Sequence, residues 1–124
     1  MKLKFVDHKR IKGAIYARLS GYLISFSTGA RKAFPDLLIE DAEYVIGVNE
    51  LDQKDKRIFI ALRNNYPDQP AFQIKFYSGY FHLHARSLLS EMGLNSFSGY
   101  RAELKREEIE GIKYLIINPE KKIK

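Results

Sequence analysis

Two groups of residues carry side chains that could do chemistry. His82 and His84 stand two positions apart, so both would project from one face of a strand, as metal-binding histidines on strands do. No carboxylate lies close to them in the sequence to supply a third ligand. Glu107, Glu108 and Glu110 form an acidic run typical of a solvated loop. We therefore expect neither a metal site nor a pair of catalytic carboxylates.

Other catalytic signatures are missing from the sequence. The chain has no cysteine, which excludes a thiolate nucleophile, a disulfide framework and a thiolate metal site. It has no Gly-x-Ser-x-Gly nucleophile elbow and no glycine-rich phosphate loop followed by Lys-Ser or Lys-Thr. The sequence thus predicts a protein that is not an enzyme and that uses no cofactor.

Positive charge is concentrated in the first third of the chain. Lysine and arginine number 21 against 15 aspartates and glutamates, a formal net charge of +6, and residues 36–55 are mainly acidic. A basic surface suits an anionic partner such as nucleic acid. The predicted nucleic-acid contacts are Lys9, Arg10, Lys12, Arg18, Arg31 and Lys32.

Length and composition favour one compact domain over residues 1–124. With 124 residues, of which 45% are hydrophobic, the chain can bury a core without disulfides or metals. The N-terminal residues lack the apolar run of a secretory signal, and no segment approaches the ~20 apolar residues that span a bilayer. We expect a cytoplasmic protein with no membrane partner.

Alternating apolar residues predict strands in pairs. Residues 14–19 and 22–27 flank a Ser-Gly turn, and residues 43–49 and 57–63 flank a polar loop, so each pair predicts a hairpin. Thr28 is predicted to cap a short helix that ends at Pro35. In the second half the predicted elements are strands at 71–77, 80–84, 100–106 and 112–118, with a helix from 85 that Gly93 closes.

The order of elements is the same in both halves. Residues 12–64 and 71–119 each read strand, strand, helix, strand, strand, and residues 64–70 form a linker that contains two prolines. The predicted fold class is α+β, mainly β, with two similar units packed as one pseudo-two-fold domain.

The first unit resembles the swapped-hairpin domain of the AbrB/SpoVT family of bacterial transcriptional regulators and MazE-like antitoxins. The matching segments are GAIYARL (13–19), GYLISF (21–26), ARKAF (30–34) and the strand pair over 43–63. The sequence departs from the family at Phe26-Ser27, where a proline is usual, and at 87–89, where a second basic pair is expected. The resemblance implies a transcriptional regulator or mobile-element accessory protein that contacts duplex DNA through basic residues of the first unit, and it is compatible with a homodimer.

Two other functions stay open. Several antiparallel strands followed by a helix also form Whirly-type domains, in which aromatic rings on a sheet stack on single-stranded bases beside a basic groove. A protein-interaction module without nucleic acid is the third possibility. The position of the aromatic side chains on the strands discriminates between binding to duplex DNA and binding to a single strand. Exposed rings beside cations favour single strands, whereas buried rings with exposed Arg31 and Lys32 favour a duplex.

Overall fold

The protein folds as a closed antiparallel β-barrel in a computed structural model that describes residues 1–3, 14–20, 23–77, 80–84 and 88–123. The strands are β1 (Tyr16–Leu19), β2 (Leu23–Phe26), β3 (Glu43–Val48), β4 (Ile58–Leu62), β5 (Phe72–Tyr77), β6 (Tyr80–His84), β7 (Arg101–Ile109) and β8 (Ile112–Lys122). Their order around the barrel is β1-β2-β6-β5-β3-β4-β8-β7, and pairing of β7 with β1 closes it. Two short helices, α1 (Thr28–Ala33) and α2 (Leu88–Glu91), and two single 3₁₀ turns, Arg63–Asn65 and Asn95–Phe97, complete the described elements.

The predicted fold class, an α+β domain of two packed strand-strand-helix-strand-strand units, is wrong. The consecutive strands do form hairpins, but β2 pairs with β6 and β4 pairs with β8, so strands of both halves share one barrel. Alternation along a strand predicts which side is apolar and leaves the strand's non-local neighbours undetermined. If each of β1–β4 is exchanged with its counterpart in β5–β8, every pair of neighbouring strands becomes another pair of neighbours in the same barrel. The internal repeat over 12–64 and 71–119 stays a prediction.

The inward side chains form one hydrophobic core. Alternate residues of each strand point into the barrel, as the two-residue period requires. The strand residues of the core include Ala17, Leu19, Ile24, Phe26, Tyr44, Ile58, Ile60, Ile74, Phe81, Leu83, Leu104, Leu115 and Ile117. Each large aliphatic or aromatic side chain contributes roughly 1.5–3 kcal/mol when it is fully buried. The alternation over 22–27 predicts that Tyr22, Ile24 and Phe26 point inward; this is confirmed for Ile24 and Phe26, and Tyr22 lies outside the described residues.

One serine hydroxyl joins β1 to the start of α1. Ser27 is the N-cap of α1, where its Oγ accepts a hydrogen bond from the amide of Ala30 at 3.1 Å. The same oxygen accepts from the amide of Tyr16 at 3.1 Å and donates to the carbonyl of Ala14 at 2.7 Å. The cap was predicted at Thr28, one residue too late. Both residue types cap helices, and the bonds to β1 decide in favour of Ser27.

The helix ends follow local sequence signals. The helix α1 stops at its C-cap Phe34, directly before Pro35, as predicted. After α2, Gly93 adopts a φ of 69°, and the amides of Gly93 and Leu94 bond back to the carbonyls of Ser90 and Leu89. This pattern is a Schellman motif, and it confirms the predicted glycine cap. No helix in the described ranges is long and apolar enough to cross a membrane.

A buried phenol holds the connection between α1 and β3 against the core. Tyr44 is 1% exposed, and its hydroxyl donates to the carbonyl of Leu37 at 2.6 Å and accepts from the amide of Ile39 at 3.0 Å. Burial raises the pKa of Tyr44, while the hydrogen bond from Ile39 opposes that rise. The neutral phenol is therefore the form that the folded protein favours.

Replacement of Ser27 by alanine is expected to lower the free energy of unfolding by roughly 1–3 kcal/mol, because the buried amides and carbonyl lose their shared partner. Urea unfolding measures the change. The control is Ser90→Ala, since Ser90 is exposed on α2. Equal stability of the two variants would show that the Ser27 hydroxyl does not hold α1 to the barrel.

Replacement of Tyr44 by phenylalanine is expected to destabilise the protein at neutral pH by roughly 1–3 kcal/mol, since the buried carbonyl of Leu37 and the partly buried amide of Ile39 lose their partner. Because the folded pKa lies above the unfolded value near 10, the stability from the neutral phenol is complete below about pH 10 and is lost as pH rises through the folded pKa. The variant should therefore lose less stability than the wild type between neutral and strongly alkaline pH. Tyr100→Phe, on an exposed ring, is the control. An unchanged alkaline loss in the Tyr44 variant would contradict this account.

Candidate nucleic-acid interface

A row of basic and polar side chains crosses the outer face of five neighbouring strands. The register places Arg101 opposite Arg18, Arg18 opposite Ser25, Ser25 opposite His82, and His82 opposite Lys75. We call these five residues the basic row. Neighbouring strands lie about 4.8 Å apart, so the row extends over roughly 19 Å around the barrel.

The arginine end of the row lies outside the ion pairs of the described residues, and Glu103 on the same outer face pairs instead with Lys105 and Lys121. Arg18 and Arg101 are both exposed, and the ion pairs among the described residues involve neither of them. Like charges directly opposite one another on paired strands are destabilising. The guanidinium of Arg101 lies 4.8 Å from the centre of the Tyr16 ring, which gives it a cation–π contact. An anion bound beside the two arginines would relieve their repulsion.

The other end of the row is polar and partly neutralised. The Nδ1 atom of His82 lies 2.9 Å from the Oγ of Ser25, a hydrogen bond that orients the imidazole. The ammonium of Lys75 lies 3.8 Å from a carboxylate oxygen of Asp41, and both side chains are more than half exposed. Exposed pairs of this kind contribute little to stability, so Lys75 can exchange its partner readily.

His82 and His84 lie on the outer side of β6, the shared face that their spacing predicts. Within the described ranges no group of three or more His, Cys, Asp or Glu side chains is arranged to hold a metal ion. The chemistry available to His82 in this position is hydrogen bonding as part of the basic row.

The cations of α1 lie at one end of the barrel, where the helix contacts β1 and β6. Arg31 rests on two rings, with its guanidinium carbon 4.8 Å from the centre of Phe76 and 5.0 Å from that of Phe81. Phe81 is buried in the core, whereas Phe76 is 36% exposed at the barrel rim. Lys32 is exposed in the last turn of the helix. The rings thus fix the position of the Arg31 guanidinium, while Lys32 extends into solvent.

The six predicted contact residues have different outcomes. Arg18 lies in the basic row, Arg31 and Lys32 lie on α1, and Lys9, Arg10 and Lys12 lie outside the described residues. Sequence reasoning missed Arg101, Lys75 and His82 as members of the row that contains Arg18. Alternation indicates that each of them points outward, but only the non-local pairing of β1 with β7 and of β2 with β6 brings them together.

Aromatic rings accompany the cations on this part of the surface. The ring–cation pairs are Tyr16 with Arg101, Tyr100 with Lys122 at 3.6 Å, and Phe76 with Arg31. Tyr80 is 42% exposed, and its ring centre lies 6.3 Å from that of His82. Exposed rings beside cations are the arrangement expected for binding to single-stranded nucleic acid.

Compared with known protein families, with curated proteins and with solved structures, the chain gives no match. The resemblance of the first unit to the AbrB/SpoVT family stays a prediction, but the two packed units predicted with it are replaced by the closed barrel. Function is therefore argued from the geometry of the basic row.

Proposed function

We propose that the protein binds single-stranded nucleic acid across the outer face of β7, β1, β2, β6 and β5. The observation that carries this proposal is the direct opposition of Arg18 and Arg101, neither of which forms an ion pair with a carboxylate of the described residues. Phosphate groups supply the missing negative charge, and each phosphate that is neutralised releases condensed counterions. The fold holds Arg18 and Arg101 close enough to repel each other, and a bound phosphate would remove that repulsion.

The direction of the basic row sets the path of the bound strand. A nucleic acid that runs across the β-strands, rather than along them, meets Arg101, Arg18 and Lys75 in turn. Between the cations, Ser25 and His82 are hydrogen-bonded to each other and the Nε2 atom of His82 is buried, so we assign the phosphate contacts to the three cations. The phosphate contacts fix the position of the strand without reading its sequence.

The exposed rings favour a single strand over a duplex. Tyr80 is 42% exposed on the same outer face as the basic row, where an unpaired base can reach its ring. Bases in a duplex are stacked on each other and have no free face for a tyrosine ring. Base stacking on aromatic side chains contributes roughly 1–3 kcal/mol per base, which offsets the conformational entropy lost by a flexible strand.

Duplex DNA is the second candidate ligand. The observation that favours it is the exposure of Arg31 and Lys32 on α1, a rigid element anchored at the barrel end. Cations held on such an element can meet the regularly spaced phosphates of a double helix. This candidate depends on α1, whereas the single-strand proposal depends on the basic row, so variants separate the two.

Replacement of both Arg18 and Arg101 by alanine is expected to weaken binding to a labelled oligo-dT strand. The log–log salt slope should fall by roughly 1.4, since each phosphate contact with a single strand contributes about 0.7. Fluorescence anisotropy between about 50 and 200 mM salt measures both quantities. The control is Lys54→Ala with Lys56→Ala, which makes the same charge change in the loop between β3 and β4. Equal slopes in the two double variants would overturn the proposal.

Replacement of Tyr80 by alanine is expected to weaken single-strand binding by roughly tenfold, which corresponds to about 1.4 kcal/mol of lost stacking. Tyr80→Phe keeps a ring and should bind as the wild type does. Because Tyr80 is exposed, the stability of both variants should stay within about 0.5 kcal/mol of the wild type. If alanine leaves single-strand binding unchanged while Arg31→Ala with Lys32→Ala weakens duplex binding, the duplex candidate replaces the proposal.

A further inference from the structure

An apolar groove lies on the side of the barrel opposite the basic row. The row is centred on β2 and the groove on β4, and these strands are four places apart in the barrel of eight. The groove encloses about 760 Å³. Its main lining residues are Val45, Gly47, Phe59, Ala61, Tyr66 and Tyr114.

The outer face of β3, β4 and β8 is apolar although it does not belong to the barrel core. Val45 is 9% exposed, Ala61 is 2% exposed and Ile116 is 4% exposed, yet their strand neighbours are the residues that point inward. Strands of an antiparallel sheet normally present polar side chains on the solvent side. This face therefore departs from the pattern of a barrel exterior.

Aromatic residues form the wall of the groove. Phe59 and Tyr114 meet edge to face with ring centres 6.0 Å apart. The hydroxyl of Tyr66, in the connection after β4, bonds to the hydroxyl of Tyr114. This bond, together with burial, raises the pKa of Tyr114 to about 12, so its phenol is neutral at physiological pH. The wall thus offers ring faces and uncharged hydroxyls.

A glycine keeps the floor of the groove open. Gly47 is exposed on β3 opposite Phe59, and no heavy atom lies within 4 Å of the place that a Cβ would occupy. A glycine inside a strand often marks a site where a ligand approaches the backbone closely. A Cβ at this position would meet open space among the described residues, and Gly47 lines the groove.

We propose that this groove binds a planar, apolar small molecule that carries no negative charge. Small-molecule sites typically enclose about 300–1,000 Å³ and are mainly apolar with a few polar groups. Here the polar side chains of the lining are Asn49, Glu50 and Gln69 together with the two tyrosines, and Glu50 is the charged member. The guanidinium of Arg57, 5.1 Å from the centre of the Phe59 ring, is paired with Asp55 at 2.8 Å, whereas Glu50 takes part in none of the ion pairs of the described residues. The carboxylate of Glu50 therefore disfavours an anionic ligand, and the ring faces favour a flat one.

The test uses two ring probes of similar size. N-phenyl-1-naphthylamine is uncharged, and 1-anilino-8-naphthalenesulfonate is its anionic counterpart. The wild type should bind the uncharged probe saturably and the anionic probe several-fold more weakly. Both probes are compared in the Arg18→Ala, Arg101→Ala variant, so that the basic row does not bind the anionic probe. Lack of saturable binding of the uncharged probe, or equal affinity of this variant for both probes, would overturn the proposal.

Gly47→Leu fills the groove and is expected to reduce affinity for the uncharged probe at least tenfold. The control is Gln73→Leu, which adds the same side chain to an exposed position of β5 outside the groove, and it should bind as the wild type does. Circular dichroism checks the fold, and Gly47→Val replaces the leucine variant if that variant is unfolded. If Gly47→Leu binds the uncharged probe with the affinity of the wild type, the proposal is overturned. Oligonucleotide binding of Gly47→Leu reports on the basic row separately and should be unchanged.

Discussion

The pairing of β1 with β7 is the constraint on which the rest of the structure depends. It joins the two ends of the strand order and removes both free edges, which an open sheet would expose to other chains. Once the barrel is closed, one side of every strand must fill the interior and the other side must face outward. The same register puts Arg18 beside Arg101. The interaction that completes the fold therefore also creates the charge repulsion on which the proposed function rests.

Closure also separates two different surfaces. The basic row is centred on β2 and the apolar groove on β4, on opposite sides of the barrel, so a ligand on one surface leaves the other accessible. The helix α1 belongs with the first surface, because the Ser27 hydroxyl ties its start to β1 and Arg31 rests on Phe76 and Phe81. A single small barrel can in this way present charge on one side and aromatic walls on the other.

The features that the sequence predicted correctly are those that local physics determines. The two-residue alternation predicts the strands and the two hairpins of the first half, and Gly93 ends α2 because a residue with positive φ is needed there. The barrel could not be predicted, because the pairing of β2 with β6 depends on residues far apart in the chain. Of the candidate site, Arg18, Arg31 and Lys32 were identified from charge, whereas Arg101 becomes a neighbour of Arg18 only through closure. The helix cap was misplaced by one residue because Ser27 and Thr28 have similar capping propensity, and the bonds to β1 distinguish them.

The central claim is that the basic row of the closed barrel binds a single nucleic-acid strand. Its most direct test is a titration of the isotopically labelled protein with a short single-stranded oligonucleotide at low salt, followed through the amide and arginine side-chain NMR signals. The account predicts that shifts concentrate on β7, β1, β2, β6 and β5, with the largest changes at the side chains of Arg18 and Arg101. Shifts confined to β3, β4 and β8, or no shifts at saturating oligonucleotide, would contradict it.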